Sequence, residues 1–210
     1  MKATERDRPD VVAKRAAFEE WLAEVDPSKV VVVDEAGTTI SMTRTYGWSA
    51  KGQRVHDRVP RNRGTVTTLL GVLTMSGLEA AMTIEGGTSG DVFLAFVEQV
   101  LGPVLQPGDT VVLDNLRAHH DRRIRPAIER LGASLKYLPP YSPDFSPIEL
   151  CFAKLKSHLR AAKARTREAL DQAIDEAFDL ITPDDAYGWF KHCGFRVPRW
   201  DDILPQAQPT

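Results

Sequence analysis

The run Val30-Val31-Val32-Val33 is followed at once by Asp34, and this stretch decides how the rest of the sequence is interpreted. Four consecutive β-branched apolar residues are typical of a strand that is buried on both faces of a sheet. A second such run, Val111-Val112-Leu113, is followed directly by Asp114. A carboxylate directly after a buried strand is costly unless it is hydrogen-bonded or bound to a cation. It also lies where α/β sheets bind ligands, just outside the strand ends.

Apolar patterning predicts three strands, then helices alternating with strands, and finally a group of helices. The predicted strands are 30–33, 65–73, 78–84, 110–113 and 134–138. The predicted helices are 91–101, about 121–131, a long helix from Pro147, 167–181 and 183–192. This order indicates a mixed α/β sheet with helices on its faces.

If the two acid-terminated strands are neighbours, Asp34 and Asp114 come close together. Like charges so placed repel and shift each other's pKa, and a divalent cation relieves that repulsion. Mg²⁺ takes one or two carboxylates, keeps several waters and gathers phosphate oxygens. The sequence therefore predicts a metal site at this edge of the sheet.

Glu149 is a third candidate acid, with two alternative roles. Ser146, Pro147 and Glu149 have the spacing of a helix N-cap, a first-turn proline and a capping box, which on local grounds favours a structural role. Glu149 also lies on the flank of an apolar helical stripe, from which it can reach the end of a neighbouring strand.

The 210 residues have the composition of an ordinary soluble globular protein, with 42% hydrophobic residues, 27% charged residues and a net charge of −2. No apolar run approaches the roughly 18–20 residues of a membrane helix, and the charged N-terminus is unlike a signal peptide. Cys151 and Cys193 are expected to be reduced, buried thiols of a cytoplasmic protein. These features argue against a membrane protein, a disulfide scaffold and a disordered chain.

Charge is segregated along the chain. Residues 150–167 carry six Lys or Arg and no acid, whereas residues 168–190 carry seven acids and no base. A second basic stretch, 44–63, also contains Tyr46 and Trp48, which either stack on a base or anchor a loop. Such runs are either solvated faces or a track for a polyanion, and charge alone leaves both open.

Three segments together closely resemble the DDE-type catalytic domain of bacterial insertion-sequence transposases of the mariner superfamily. They are VVDEAG at 32–37, LDNLRAH at 113–119 and YLPPYSPDFSPIE at 137–149. In addition, 34 residues separate Asp114 from Glu149, as in that family's D-D-34-E pattern. The resemblance covers about 30–163, with weaker likeness to about Phe195.

The resemblance implies a ribonuclease H-like fold, a mixed sheet flanked by helices with further C-terminal helices, in agreement with the order of elements. It implies that Asp34, Asp114 and Glu149 are catalytic acids that hold two Mg²⁺ or Mn²⁺ ions. The implied reaction is phosphodiester hydrolysis followed by strand transfer, on double-stranded DNA of transposon ends and target. Because transposition couples two ends, a homodimer is expected, and no membrane is involved.

The expected organisation is an N-terminal helix or linker over 1–29, the catalytic domain over 30–165, and a helical segment with a polar tail over 166–210. Complete members of the family carry helix-turn-helix domains before the catalytic domain, whereas 29 residues precede the first strand here. We therefore expect a bacterial, cytoplasmic chain that is a truncated copy or that works with an upstream helix-turn-helix product. Its own DNA binding is expected mainly through phosphates.

Six further residues are predicted to support the acids or to contact DNA: Glu35, Asn115, His119, Tyr141, Lys154 and Lys156. Glu35 is expected on the opposite side of the strand from Asp34. Asn115 and His119 either orient a metal-bound water or phosphate, or are a helix N-cap and a surface histidine. Tyr141 either lines a DNA channel or packs on the proline turn, and the two lysines either contact phosphate or lie on a solvated face.

The sequence departs from the family pattern at three positions. Ser146 stands where Asn is usual, Phe152 where Trp is common, and His120 where Lys often occurs. Ser is an equally good N-cap, and Phe keeps the apolar stripe, so the site is expected to survive.

Two other functions stay open. One is a relic or regulatory fragment that pairs with full-length transposase without cutting DNA, and the intact acids argue against it. The other is a cellular ribonuclease H-like nuclease, and the proline-rich motif before Glu149 argues against that.

Overall fold

The computed structural model describes residues 3–198, which build a five-stranded sheet flanked by helices. The strands are β1 (Val30–Thr38), β2 (Thr67–Thr74), β3 (Gly77–Glu85), β4 (Thr110–Leu113) and β5 (Ser134–Tyr137). Their order across the sheet is β3-β2-β1-β4-β5. The first three strands are antiparallel neighbours, whereas β4 runs parallel to β1 and β5 parallel to β4. The predicted mixed sheet is therefore confirmed.

Helices cover both faces of this sheet. They are α1 (Pro9–Glu24), α2 (Gly90–Phe96, continued by a π-helical turn at Val97–Leu101), α3 (Ile124–Glu129), α4 (Pro147–Ala162), α5 (Arg167–Phe178) and α6 (Pro183–His192). Helices α2 and α3 pack on one face, and α1, α4, α5 and α6 pack on the other. Within the described range, none of these helices has the length and apolarity needed to cross a bilayer. Most of the expected polar tail, 199–210, lies outside the described residues.

Side chains of β1 alternate between the two cores, as the pleat of a strand requires. Val30, Val32 and Ala36 pack in the core on the α4 side, and Val31 and Val33 pack in the core on the α2 side. The same alternation directs Asp34 toward α4 and Glu35 toward α2. The two acids therefore lie on opposite faces, as predicted.

The segments before residue 30 and after residue 165 share the core of the sheet. Phe18 of α1, Leu170 of α5 and Phe190 of α6 belong to the same buried cluster as Val32 and Phe152. Both flanking segments are thus layers that cover one face of the sheet.

Strand β1 is longer than predicted. Its pairing with β2 continues from Asp34 opposite Gly71 to Thr38 opposite Thr67, so Asp34 lies inside β1 rather than after it. Pairing with the parallel neighbour β4 ends earlier, at Val32 opposite Val112. The apolar run marked only the part of the strand that is buried between two neighbours.

The predicted helix over about 121–131 is also corrected. The chain forms a 3₁₀ turn at Arg117–His120, and the α-helix runs only over Ile124–Glu129. Between them, the Asp121 side chain accepts the backbone N–H of Arg123 at 2.9 Å, a local turn that competes with helical hydrogen bonding.

Gly71 of β2 allows α4 to approach the sheet closely. A Cβ atom at this position would lie 3.1 Å from Cε1 of Phe152 and 3.3 Å from Cδ1 of Leu78. The Phe152 ring is buried in a close-packed core and cannot retreat freely. We expect Gly71→Val to lower the free energy of unfolding by about 1–3 kcal/mol through overpacking, measured by urea denaturation.

The matched control for this prediction is Gly188→Ala in α6, where an added Cβ meets nothing within 4 Å. Because alanine favours the helix, this variant is expected to keep or raise stability. An equally stable Gly71→Val would show that the α4–sheet contact is loosely packed.

Candidate functional site

Asp34 and Asp114 lie side by side on neighbouring parallel strands. Val32 pairs with Val112, and the same register continued by two residues sets Asp34 beside Asp114, where β4 has just ended. Each carboxylate uses Oδ1 to accept a backbone N–H, from Glu35 at 2.7 Å and from Leu116 at 2.9 Å respectively. The structure therefore brings these two acids together, because β1 and β4 are neighbours, which is the condition on which the prediction depended.

Glu149 lies in the first turn of α4 and does not form a capping box. The Ser146 side chain makes no cap hydrogen bond, and its Oγ is buried without a partner. The Ser146 N–H, which Glu149 would have to engage, donates instead to the carbonyl of Pro143 at 3.0 Å. The capping-box role is therefore wrong, because the 3₁₀ turn at Pro143–Phe145 already occupies that N–H.

All three acids line one cleft with a volume of about 790 Å³. The proline turn that follows β5 forms one wall. Arg8, at the N-cap position of α1, and Val11 and Lys14 within that helix form another. The sequence predicted a helix or linker in this region. Nothing in it signalled that this segment would face the acids, because the contact joins distant parts of the chain.

The electrostatics of the cleft favour a cation. Burial raises the pKa of Asp34 to about 7, and the nearby carboxylates of Asp114 and Glu149 add to the rise against the N–H of Glu35 and the charge of His119. A carboxylate with this pKa holds a proton near neutrality unless a positive charge arrives. Burial of the Asp34 charge and, to a smaller extent, repulsion from the other two acids are therefore costs that a bound cation would relieve.

His119 is fully buried and joins Asp114 to Glu35. Its Nδ1 lies 2.6 Å from Oδ1 of Asp114, and its Nε2 lies 3.6 Å from Oε1 of Glu35. These are ion-pair contacts, since neither ring nitrogen meets hydrogen-bond geometry. The ring also packs on Phe93, with centroids 4.1 Å apart. The alternative that His119 is a surface histidine is therefore wrong. His119 is a buried partner of the Asp114 carboxylate.

The stability of this cluster is expected to depend on pH. Burial alone lowers the pKa of His119, but Asp114 and Glu35 outweigh it and raise the pKa to about 9. An unfolded histidine titrates near 6.5. The stabilisation by protonated His119 is therefore complete below about pH 6.5 and is lost as the pH rises through 9.

Replacing His119 with Phe keeps an aromatic ring on Phe93 but leaves the Glu35 carboxylate without its cation. We expect His119→Phe to lower the free energy of unfolding at pH 6 by about 3–5 kcal/mol and to flatten its decline between pH 6.5 and 9. Urea titrations at pH 6, 7.5 and 9 measure both effects. The control is His192→Phe, at an exposed position in α6, which is expected to keep the wild-type slope. An unchanged slope in His119→Phe would contradict the assignment.

Asn115 and Tyr141 lie close to the acids. The Asn115 Nδ2 donates to the carbonyl of Leu138 at 2.7 Å and ties the ends of β4 and β5 together. Asn115 is not a helix N-cap, because Leu116 occupies that position. Tyr141 is partly exposed, lines the cleft and has a φ of 55°, a left-handed conformation that is uncommon outside glycine. Its exposure favours the channel-lining role over packing.

Two residues of the basic stretch of the sequence contact acids of the following helices. Lys154 of α4 contacts Asp185 of α6 at 2.5 Å, and His158 of α4 lies 3.6 Å from Glu176 of α5. The predicted phosphate contact of Lys154 therefore competes with an internal partner. Lys156 is half-buried on α4, and neither lysine lines the cleft.

The residues of the cleft fit divalent ions in their chemistry. Carboxylate oxygens are the ligands that Mg²⁺ and Mn²⁺ prefer. One buried atom that lines the same cleft, Oγ of Ser146, has no hydrogen-bond partner, and a hydrated ion would supply one. Within residues 3–198, however, no three His, Cys, Asp or Glu side chains form a ready-made metal cage.

The strand order, the helices on both faces and the acidic cleft at the end of β4 define a ribonuclease H-like α/β fold. A family model described as DDE superfamily endonuclease matches residues 29–171. The chain belongs to this family.

Solved transposase structures share the fold. A Mos1 transposase paired-end complex with the left transposon end matches with a TM-score of 0.76 and 18% identity, covering 92% of this chain and 61% of that one. A paired-end complex with Mn matches with 0.68 and 16%, covering 92% and 61%. The isolated catalytic domain of Mos1 mariner transposase matches with 0.66 and 15%, covering 92% and 91%. The chain thus spans about three fifths of the Mos1 chain in those two complexes. No curated protein sequence matches it.

Proposed function

We propose that this chain is the catalytic domain of an insertion-sequence transposase, which cleaves DNA at transposon ends and joins it to a target. The observation that carries the proposal is that Asp34, Asp114 and Glu149 line one cleft in a member of the DDE endonuclease family. Mos1 structures of similar fold are complexes with a transposon end and with Mn or Mg, which supports both the substrate class and the cofactor.

In the proposed mechanism, the three acids hold two Mg²⁺ or Mn²⁺ ions. When bound, such a pair activates the attacking water or 3′-hydroxyl and stabilises the leaving oxygen. In Asp34 and in Asp114, Oδ1 accepts a hydrogen bond from a backbone N–H, and Oδ2 can bind a ligand in the cleft. His119 fixes the orientation of Asp114, and Glu35 balances the charge of His119 from the far side.

We propose that DNA phosphates contact the cations of the cleft wall, Arg8 and Lys14, and the basic loop between β1 and β2. In that loop the side chains of Tyr46 and Trp48 are 91% and 101% exposed. This exposure supports stacking on bases rather than anchoring of the loop. The loop is held at its start by Arg165, whose guanidinium donates to two of its carbonyls.

The working complex is proposed to be a homodimer on two transposon ends, because transposition joins both ends of one element. Selection of a particular terminal sequence is proposed to come from a helix-turn-helix product, since contacts to phosphates carry no direct sequence information. We also propose that the chain comes from a bacterial insertion sequence and acts in the cytoplasm. The motifs at 113–119 and 137–149, which resemble those of insertion-sequence transposases, support this origin.

Nicking of supercoiled plasmid by the purified chain tests the proposal. Cleavage is expected with Mg²⁺ or Mn²⁺, not with EDTA, and not in Asp114→Asn. A parallel panel of duplex DNA, RNA–DNA hybrid and four-way junction separates the candidate nucleases. Preference for duplex DNA supports the transposase, whereas preference for hybrid or junction supports a cellular ribonuclease H-like nuclease. Absence of cleavage on every substrate would favour a regulatory fragment and overturn the enzymatic proposal.

A further inference from the structure

Arg15 of α1 is an arginine that is only 7% exposed, and all of its side-chain hydrogen bonds go to one short loop, with Glu19 of its own helix 4.0 Å away. Its Nη1 donates to Oγ of Ser142 at 2.6 Å and to Oδ1 of Asp144 at 3.1 Å. Its Nη2 donates to Oδ2 of Asp144 at 2.8 Å. The guanidinium also stacks over the Phe145 ring, 4.1 Å from its centroid. Arg15 thus holds three of the four residues that precede Ser146.

The held loop leads directly into the turn that carries Glu149. The Phe145 N–H donates to the Ser142 carbonyl, the Ser146 N–H to that of Pro143, and the Glu149 N–H to that of Ser146. These links connect the guanidinium to the acid through consecutive hydrogen-bonded turns. No capping box fixes Glu149 locally, so this loop is the segment that leads the chain into its turn of α4.

The loop also has reasons to move if it is not held. Tyr141, the residue before Ser142, has a left-handed backbone, a conformation that persists only when its surroundings enforce it. The Ser146 hydroxyl is buried without a partner and contributes no hydrogen bond to the turn. Arg6 adds a second contact to Asp144, at 2.9 Å, so two cations from the N-terminal segment converge on one carboxylate.

We propose that Arg15 is a positioning residue of the active site: through Ser142, Asp144 and Phe145 it sets the place of Glu149 in the cleft. Helix α1 lies before the region 29–171 that matches the family. The proposal therefore assigns a role in positioning Glu149 to a residue outside that region. The inference rests on the proposed function, because it concerns the cleavage that Glu149 supports.

The experiment compares Arg15→Gln, Asp144→Asn and the double variant with the full-length wild-type chain. Leu22→Ala is the matched control, since Leu22 also packs α1 on the core but its side chain offers the loop neither a hydrogen bond nor a charge. Two readouts are used: steady-state cleavage kinetics with Mn²⁺, and hydrogen exchange of the amides of Phe145, Ser146 and Glu149.

We expect Arg15→Gln to lower kcat by about ten- to a hundredfold with KM for DNA little changed, because a small misplacement of a reacting group costs rate rather than binding. The three amides are expected to exchange faster. The double variant is expected to be no slower than the slower single variant, since both changes break one contact. Leu22→Ala is expected to lower the melting temperature but to keep kcat within about twofold.

An active wild type with an equally active Arg15→Gln variant would overturn this inference alone. Equal losses of kcat in Arg15→Gln and Leu22→Ala would show a general structural role and would also overturn it. If the Arg15→Gln variant does not fold, Asp144→Asn tests the same contact. This variant is expected to fold, because the Asp144 side chain is 42% exposed. A wild type that never cleaves would instead overturn the proposed function, and the exchange rates would still report whether Arg15 holds the loop.

Discussion

Asp34→Asn is expected to abolish metal-dependent cleavage while making the folded chain more stable. Loss of a carboxylate that we propose to hold the metal ions is expected to lower the rate by about a thousandfold or more. The gain in stability follows from the burial and the neighbouring carboxylates that raise the pKa of Asp34 to about 7. A neutral amide removes the cost of burying the charge, and the smaller repulsion, at about the same volume.

The direction of the expected change in stability follows from how the protonation of Asp34 depends on pH. In the unfolded chain an aspartate loses its proton near pH 3.9, whereas folded Asp34 keeps it until about pH 7. The folded state is therefore favoured at low pH, and the contribution of Asp34 is lost as the pH rises from about 4 through 7. At pH 8 we expect the melting temperature of Asp34→Asn to exceed that of the wild type by at least about 3 °C, since one pKa unit corresponds to about 1.4 kcal/mol.

Thermal unfolding at pH 4, 6 and 8, with and without Mn²⁺, measures the effect. Mn²⁺ is expected to raise the melting temperature of the wild type but not of Asp34→Asn, because binding stabilises the state that binds. Asp109→Asn is the control: this buried carboxylate precedes β4, accepts the Gln106 N–H at 2.8 Å and lies 3.6 Å from Lys29. It is expected to lose stability and keep cleavage. If the Asp34→Asn variant is less stable than the wild type at pH 8, the predicted cost of the buried Asp34 charge is refuted.

Glu149→Ala is expected to separate catalysis from helix stability. Cleavage should fall by about a hundredfold or more, whereas the free energy of unfolding should change by less than about 0.5 kcal/mol, because the side chain makes no cap contact. Plasmid nicking and urea denaturation of the same preparations give the two values.

Ser146→Ala is the companion variant for stability. Its hydroxyl is buried without a partner, so its removal is expected to leave stability unchanged or to raise it. A capping box would instead make each of the two changes cost about 1 kcal/mol. Such losses in both variants would restore the structural role of Glu149.

Patterning placed Asp34 and Asp114 directly after two apolar runs, but it predicted that they are close only if the two strands are neighbours. The parallel pairing of β1 with β4 supplies that condition and brings them together. The place of Glu149 could be predicted only through the resemblance of the motif at 137–149, because local spacing favoured a cap. The burial of His119 was left open, since a histidine in a short polar segment carries no signal of the Phe93 ring that covers it.

The contribution of α1 could not be predicted for a different reason. Arg15 and Asp144 are 129 positions apart, and single-sequence patterns report neighbours within a few residues. The extension of β1 to Thr38 also depends on a partner, because polar residues there form a strand only through pairing with β2. In each case the missing information was a tertiary contact.

The parallel pairing of β1 with β4 has a consequence for how the chain folds. Asp34 and Asp114 are 80 positions apart, so they become neighbours only after the hairpin of β2 and β3, and then α2, have been enclosed in a large loop. Contacts of such high sequence separation form slowly, because the chain loses the entropy of closing the loop before strand pairing lowers the free energy. We therefore expect the acid pair to assemble late in refolding, after the β2–β3 hairpin, so that a partly folded chain has no functioning nuclease centre.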